Sequence, residues 1–206
     1  MKAKEKTLYL IRHAQSHRKS SCHHSEWPLS EKGTEQAAGL AGLLEPLGIQ
    51  KVVSSPFLRC RQTVEPYLRK SGVEVVFEHD LRERLISRGI TDGFFDLWCK
   101  SWEDFDFALP GCETSAIAQE RFATVMQKIV SENQTNTIAI STHGNVIGLF
   151  LNHLDDSLGR DEAEKLMNPD VLKFTVQDGI FLWDRDFDLP GIDEIRTHHM
   201  QTPVDD

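Results

Sequence analysis

Two short segments of the chain end in side chains that could carry out chemistry. The segment TLYLI is followed at once by Arg12 and His13, and the segment TIAIS is followed by Thr142, His143 and Gly144. An imidazole can act as a nucleophile, or as an acid and base, near neutral pH. A guanidinium presents a planar fork of donors that matches the oxygens of a phosphoryl group. The pattern indicates a reactive imidazole beside a fixed cation.

A second arginine is expected at the same place. Arg59 lies near the start of the helix predicted after the segment KVVSSP, where unpaired backbone amides and the helix dipole also favour an anion. Arg12 and Arg59 together would neutralise the charge of a tetrahedral oxyanion. The predicted ligand is therefore a phosphoryl group.

A predicted sheet positions these side chains. Apolar runs buried on both faces predict strands at residues 7–11, 51–55, 73–77, 137–141, 171–176 and 180–184. Apolar repeats of helical period predict helices at about residues 30–45, 56–68, 114–131 and 145–153. The alternation predicts an α/β fold: one domain over residues 1–206, a three-layer sandwich whose mostly parallel central sheet carries helices on both faces and ends in a late antiparallel edge. In such sheets, ligands bind beyond the carboxyl ends of strands.

Several element boundaries have local signals. Ser30 is a predicted N-cap. Ser55 is the predicted cap of the next helix, with Pro56 in its first turn. Pro66 predicts a kink or an early end of that helix. The Asp-Gly pair at residues 178–179 predicts the turn between the last two strands.

Residues 87–111 are predicted to form an irregular insertion near the site, with at most one short helix. Its density of aromatic residues is typical of a packed loop and equally of a lid over the site, so both remain open. The two ends, residues 1–6 and about 195–206, are predicted to be loosely ordered. The aromatic residues of the insertion are Phe94, Phe95, Trp98, Trp102, Phe105 and Phe107.

Composition excludes some classes of protein. The 206 residues carry a formal net charge of −9, which disfavours binding to nucleic acid. Apolar runs fall short of the ~20 residues that span a bilayer, so no membrane partner is expected. The four cysteines are far apart and no export signal is visible, which favours a cytoplasmic protein.

Several motifs occur in an order that points to one family. Residues 12–16 read RHAQS, residues 28–37 read PLSEKGTEQA and residues 54–63 read SSPFLRCRQT; LRER, PGCET and STHGNV follow. These segments resemble, in order, the R-H-G, P-L-T-x-x-G-x-x-Q-A and S-S-P-x-x-R-x-x-Q-T motifs and later segments of the histidine phosphatase superfamily, in its phosphoglycerate mutase-like branch. Ordered motifs are far more specific than any single one.

The resemblance implies a phosphomonoester phosphatase that acts on a small phosphorylated substrate or a phosphoprotein. His13 would attack phosphorus to form a phosphohistidine, and Glu83 in LRER would protonate the leaving oxygen. Arg12, Arg59 and His143 would hold the phosphoryl oxygens. No metal or other cofactor is implied. The implied substrate-binding residues are Arg12, Arg59, His143, Ser16, Lys19 and Gly144.

Two residues depart from the family pattern. Ala14 stands where glycine is usual, which matters if the backbone there needs a positive φ. Lys19 stands where many members carry an asparagine that touches the phosphate, so a flexible cation replaces a neutral donor. These departures put full activity in question.

Two alternatives remain. A mutase-like phosphotransferase is the runner-up, although the chain lacks the long arginine-bearing insertions that the mutases carry after LRER. A catalytically silent phosphate-binding module is the other, and Ala14 and Lys19 are the arguments for it. The sequence predicts neither the natural substrate nor the oligomeric state.

Overall fold

A computed structural model describes residues 5–198 of the chain. Short 3-10 turns lie at His24–Glu26, Glu45–Leu47, His79–Leu81 and Ile192–Glu194. The strands are β1 (Lys6–Arg12), β2 (Lys51–Ser54), β3 (Val75–Phe77), β4 (Thr137–Thr142), β5 (Met167–Asn168), β6 (Asp170–Gln177), β7 (Ile180–Asp184) and β8 (Thr197–His198). The helices are α1 (Glu31–Leu44), α2 (Leu58–Ser71), α3 (Phe94–Glu103), α4 (Ser115–Glu132), α5 (Gly144–Leu154) and α6 (Arg160–Lys165).

The central sheet has six strands in the order β3-β2-β4-β1-β6-β7. The first four are mutually parallel, whereas β6 runs antiparallel to β1 and β7 antiparallel to β6. The predicted α/β fold, with a mostly parallel sheet and a late antiparallel edge, is confirmed. In the register of the two central strands, Arg12 pairs with Thr142. The two segments that end in histidine therefore end side by side.

Both faces of the sheet are buried, which explains the uninterrupted apolar run of β1. Leu8 and Leu10 point into a core formed with α4 and α5, whereas Tyr9 and Ile11 point into a core formed with α1 and α2. Successive residues of a strand face opposite sides. The helices thus form an outer layer on each side, as predicted.

The two helices on the α1 side agree with the prediction in one respect and differ from it in two. Ser30 caps α1 as predicted, because its hydroxyl accepts from the amide of Gly33 at 2.9 Å. The predicted cap of α2 is wrong: Phe57 occupies the N-cap position. The predicted early end at Pro66 is also wrong, because α2 continues to Ser71. Burial of α2 against the sheet outweighs the loss of one amide donor.

The insertion at residues 87–111 contains a regular helix, α3, of 10 residues. Arg84, which is buried, ties α3 to α4 because its Nη1 donates to the hydroxyls of Ser101 at 2.8 Å and Ser115 at 2.6 Å. Trp98 of α3 is buried and packs with Ile86 and Ala163. The insertion is therefore packed onto the body of the protein, and its exposed side borders the cavity described below.

The chain ends are more ordered than predicted where the structure describes them. Lys6 opens β1, and β8 pairs with β5 in a two-stranded sheet. The rest of the predicted loose ends, residues 1–4 and 199–206, lies outside the described residues. No helix within residues 5–198 is long and apolar enough to cross a membrane.

Candidate active site

His13 lies just beyond the end of β1. Its amide donates to the carbonyl oxygen of Thr142 at 3.0 Å, and its imidazole is 8% exposed. Nδ1 lies 2.7 Å from the carbonyl oxygen of Ala14. Because a carbonyl oxygen can only accept, Nδ1 carries the proton and Nε2 keeps its lone pair. Nε2 is therefore the nitrogen that could attack phosphorus.

Side chains outside the predicted set fix the backbone around His13. Asn168 donates from Nδ2 to the carbonyl oxygen of His13 at 2.7 Å, and the hydroxyl of Thr63 accepts from the amide of Ala14 at 2.9 Å. Ala14 is fully buried and has no positive φ, since Asp178 is the one such non-glycine residue in the described range. Its methyl group is therefore accommodated without backbone strain.

Gln36 extends this support to the next residue and to the end of the described chain. Its Oε1 accepts from the amide of Gln15 at 2.8 Å, and its Nε2 donates to the carbonyl oxygen of Asn168 at 2.8 Å and to the hydroxyl of Thr197 at 3.1 Å. Gln36 belongs to the segment PLSEKGTEQA that the motif comparison singled out. Asn168 had no signal in the sequence.

Arg59 is held at the start of α2 with its guanidinium against His13. Its Nε donates to Nε2 of His13 at 3.1 Å, and its Nη1 donates to the carbonyl oxygen of His24 at 2.7 Å. The guanidinium carbon lies 5.1 Å from the ring centroid of Phe57 and 5.9 Å from that of Trp27. Aromatic faces stabilise a cation, so Arg59 is fixed before any ligand arrives.

Arg12 approaches from the other side, with one donor left over. Its Nη1 donates to the carbonyl oxygen of Leu166 at 2.6 Å, whereas its buried Nε has no partner among the described residues. A Cβ atom built on Gly144 would lie 2.6 Å from the guanidinium carbon, so glycine leaves the room that Arg12 occupies. Burial lowers the pKa of Arg12 to about 10, against the opposing charges of Glu83 and Asp170. Arg12 remains a cation at neutral pH.

His143 lies behind His13 and is fully buried. The two imidazole centroids are 5.3 Å apart in an edge-to-face arrangement. Nε2 of His143 is 2.9 Å from the hydroxyl of Ser55. Ser55, the predicted cap of α2, therefore pairs with this histidine instead. Burial raises the pKa of the adjacent Cys60 thiol to about 12, so this thiol is neutral.

Both imidazoles are uncharged near neutral pH. Burial lowers the pKa of His13 well below the ordinary histidine value, and the charges of Arg59 and Arg12 lower it further. Burial also lowers the pKa of His143 well below the ordinary value, and the charge of Arg59 lowers it further. A neutral imidazole at position 13 retains the lone pair that nucleophilic attack requires.

The Glu83 carboxylate lies at the N-terminus of α5. Its Oε2 accepts from the amide of Asn145 at 3.2 Å, and its Oε1 from the amides of Val146 at 3.3 Å and Arg84 at 2.9 Å. Both side-chain polar atoms of Asn145 are buried without a hydrogen-bond partner within residues 5–198. Glu83 and a free amide therefore stand together at the wall of the cavity.

One cavity of about 650 Å³ unites the predicted residues. His143 is the exception: it does not line the cavity and instead packs against His13, which does. The backbone at Lys19 is fixed by a hydrogen bond from Trp27 Nε1 to its carbonyl oxygen at 2.9 Å. The predicted residues that line the cavity are Arg12, His13, Ser16, Lys19, Arg59, Glu83 and Gly144.

The buried neutral histidines make stability depend on pH. In the unfolded chain a histidine takes up a proton near pH 6.5, whereas His13 and His143 stay neutral until much lower pH. The unfolded state then binds more protons, so the free energy of unfolding is complete above about pH 6.5 and falls below it. Each histidine adds a slope of up to about 1.4 kcal/mol per pH unit. Urea unfolding of the wild type and of His143→Gln between about pH 7.5 and 5 should show the smaller slope in the variant; equal slopes would contradict this.

Comparison with known proteins identifies the family. A model of the histidine phosphatase superfamily, branch 1, matches residues 8–179. A broad-specificity phosphatase of Saccharomyces cerevisiae is 29% identical over 171 residues, which cover 71% of this chain and 69% of the yeast protein. A probable phosphoglycerate mutase of Shigella dysenteriae is 34% identical over 79 residues. That match covers 37% of each chain, so it spans little more than a third of the mutase.

Solved structures agree on the fold. A phosphoglycerate mutase from Bacillus anthracis superposes with a TM-score of 0.78 at 22% identity, covering 94% of this chain and 97% of the mutase. A mycobacterial glucosyl-3-phosphoglycerate phosphatase superposes with a TM-score of 0.71 at 20% identity, covering 87% of this chain and 97% of the other. At these identities the likeness concerns the fold alone. The family model covers most of the sequence, and this chain belongs to the histidine phosphatase superfamily, branch 1.

Proposed function

We propose that this chain is a phosphomonoester phosphatase that works through a phosphohistidine on His13. The observation that carries the proposal is the unprotonated Nε2 of His13 at a cavity bordered by Arg12 and Arg59. A phosphoryl group held between two guanidiniums would present its phosphorus to that nitrogen. Membership of the family supports a phosphatase, and the yeast relative is named as one of broad specificity.

In the first step, the lone pair of His13 Nε2 forms the N–P bond while the P–O bond to the leaving group breaks. Glu83 gives a proton to the leaving oxygen, so the alcohol departs neutral. The Nε–H group of Arg59, which donates to His13 in the free protein, turns to a phosphoryl oxygen and releases the lone pair. Arg12 offers its unpartnered Nε in the same way. Such clamping stabilises the charge of the transferring group.

In the second step, the Glu83 carboxylate removes a proton from water, and the water oxygen attacks phosphorus. The P–N bond breaks, its electron pair returns to His13, and inorganic phosphate leaves. His143 stays neutral behind His13, and its edge-to-face contact holds the ring of the nucleophile in place. The proposed reaction needs no metal ion, because the two guanidiniums supply the positive charge.

We also propose that the chain is one domain. The residues that border the cavity run from Arg12 to Asn168. Helices from the first and second halves of the chain cover opposite faces of the same sheet. A site assembled from the whole sheet would require all of it to fold together.

Trapping of the intermediate tests the mechanism. The protein is mixed with a radioactively labelled aryl phosphate, denatured in alkali within the first turnovers, and digested. We expect a label that is stable to alkali, labile to acid and located on the peptide that contains His13. A label on another residue, or turnover without any label, would overturn the proposal. Phosphate binding with neither turnover nor label would instead indicate the silent module, and transfer of the label to a phosphoglycerate would indicate a mutase.

A further inference from the structure

The cavity is larger than the proposed reaction requires. Volumes of 300 to 1,000 Å³ are typical of pockets that enclose a whole organic ligand, and this one measures about 650 Å³. Arg12, His13 and Arg59 occupy one part of it. The remainder lies between the segment after β1 and the insertion that contains α3. This part of the cavity, which we call the outer chamber, would surround the leaving group.

The insertion gives the outer chamber an apolar, largely aromatic wall. Phe94 and Phe95 are 36% and 41% exposed although they stand on a well-packed helix, and Ile90 is 41% exposed. Trp98 lines the same wall, with its ring centroid 5.6 Å from that of Phe95. Large apolar side chains left exposed together inside a cavity mark a ligand-binding surface. A flat apolar group would bury them.

The opposite wall carries a cation with no counter-charge. The guanidinium carbon of Arg18 lies 5.7 Å from the ring centroid of Phe94, so the arginine reaches across the chamber. Within residues 5–198, neither Arg18 nor its neighbour Lys19 forms an ion pair. Glu83 is the one carboxylate among the described residues that line the cavity. A half-buried cation in this position lacks the anion that would compensate its desolvation.

We propose that the substrate is a small phosphomonoester whose leaving group is an aromatic ring that carries a second anionic group. This inference rests on the proposed phosphatase function. The phosphoryl group would lie between Arg12 and Arg59, the ring against Phe94 and Phe95, and the second anion at Arg18. Each part of the ligand then meets the chemistry that recognises it.

A phosphoprotein fits the outer chamber less well. Arg18 and Phe94 touch across it, and this contact narrows the path that a polypeptide would have to follow. Burial lowers the pKa of Arg18, because the guanidinium has lost part of its hydration. A compact ligand can enter the chamber and supply an anion to Arg18. A polypeptide that extends on both sides of the phosphorylated residue would have to separate Arg18 from Phe94.

The test uses ligands that differ in one property each. They are 4-(carboxymethyl)phenyl phosphate, its carboxamide, which has no second charge, and its cyclohexyl analogue, which has no aromatic ring. The methylene group keeps the first two leaving groups electronically similar. Dissociation constants are measured on His13→Ala by quenching of Trp27 and Trp98, which line the cavity. We expect the anionic aryl phosphate to bind about tenfold more tightly than either comparison ligand.

Arg18→Gln should remove the preference for the anion and keep the preference for the ring. Arg69→Gln, which changes an exposed arginine on α2 paired with Glu65, is the matched control and should change neither. Equal binding of the acid and the amide, or a preference that survives Arg18→Gln, would overturn the inference. So would a phosphotyrosine peptide that is hydrolysed with a higher kcat/KM than the small anionic aryl phosphate.

Turnover by the wild type tests the substrate class separately from the proposed phosphatase function. Hydrolysis of all three esters without a preference for the anion overturns the substrate class and leaves the phosphatase proposal standing. Selective binding without hydrolysis overturns the phosphatase proposal, and the ligand chemistry of the outer chamber stands. Selective binding together with hydrolysis that is about tenfold faster in kcat/KM for the acid than for the amide supports both.

Discussion

His13→Ala should lower the turnover of an aryl phosphate by about 10⁴-fold or more, because loss of a nucleophile removes the covalent path and leaves only binding and electrostatic effects. The buried groups behind His13 are not in position to replace it. His143 lies behind His13 and does not line the cavity, and the Cys60 thiol is neutral and buried. Steady-state assays with 4-nitrophenyl phosphate measure the loss. The alanine variant also leaves space that added imidazole could fill with partial recovery.

The control for this prediction is His79→Ala. His79 belongs to a short turn away from the cavity, and its side chain is largely exposed. It should keep wild-type turnover. Circular dichroism of both variants checks the fold. A correctly folded His13→Ala protein that retained more than about a tenth of wild-type turnover would exclude the phosphohistidine mechanism. Binding alone is not expected to leave so much residual turnover.

Glu83→Gln should slow the hydrolysis of esters with poor leaving groups by about 10²- to 10⁴-fold, the usual range for loss of a general acid. In the free protein, the carboxylate oxygens of Glu83 accept hydrogen bonds from the amides at the start of α5. In the proposed mechanism, the protonated carboxyl group donates its proton to the leaving oxygen. Glutamine has the same shape, and its carbonyl oxygen can still accept from the amides of Val146 and Arg84, so the fold should be kept while the proton is lost.

Leaving-group dependence distinguishes this role from a structural one. An ester of 2,4-dinitrophenol needs no proton to depart, so its first step should be almost unaffected in Glu83→Gln. The second step still lacks its base, and phosphorylated His13 should accumulate. Glu120→Gln, at an exposed position of α4, is the matched control. An equal loss of rate for good and poor leaving groups would show that Glu83 does not transfer the proton.

Much of the fold was predictable because its signals are local. The apolar run of β1, the Ser30 cap and the Asp-Gly turn at 178–179 each depend on a few neighbouring residues. The predicted cap at Ser55 and the predicted early end at Pro66 were wrong because packing decides those positions. Ser55 is used by a histidine that is distant in sequence, and the buried face of α2 carries the helix through its proline.

The position of the candidate site was also predictable, since strands that end in reactive residues meet at one edge of a parallel sheet. The support around it was not. Asn168, Thr63 and Arg84 act through contacts between distant segments. Thr63 and Arg84 belong to the quoted motifs, which do not show what these side chains contact, and Asn168 has no local sequence signal. The proposed role of Arg18 in ligand binding was likewise not predictable, because it depends on folding that places Phe94 opposite it. The roles assigned to the site residues remain predictions that the variants above test.

The close approach of Gly144 to Arg12 has an evolutionary consequence. A side chain at position 144 would displace the Arg12 guanidinium, so a substitution of the glycine also moves the cation. The two lie in separate segments, 132 positions apart by subtraction of their numbers, yet a change at Gly144 is felt at Arg12. A descendant that lost the glycine would have to hold the arginine in another position, and with it half of the positive charge proposed to receive the phosphate.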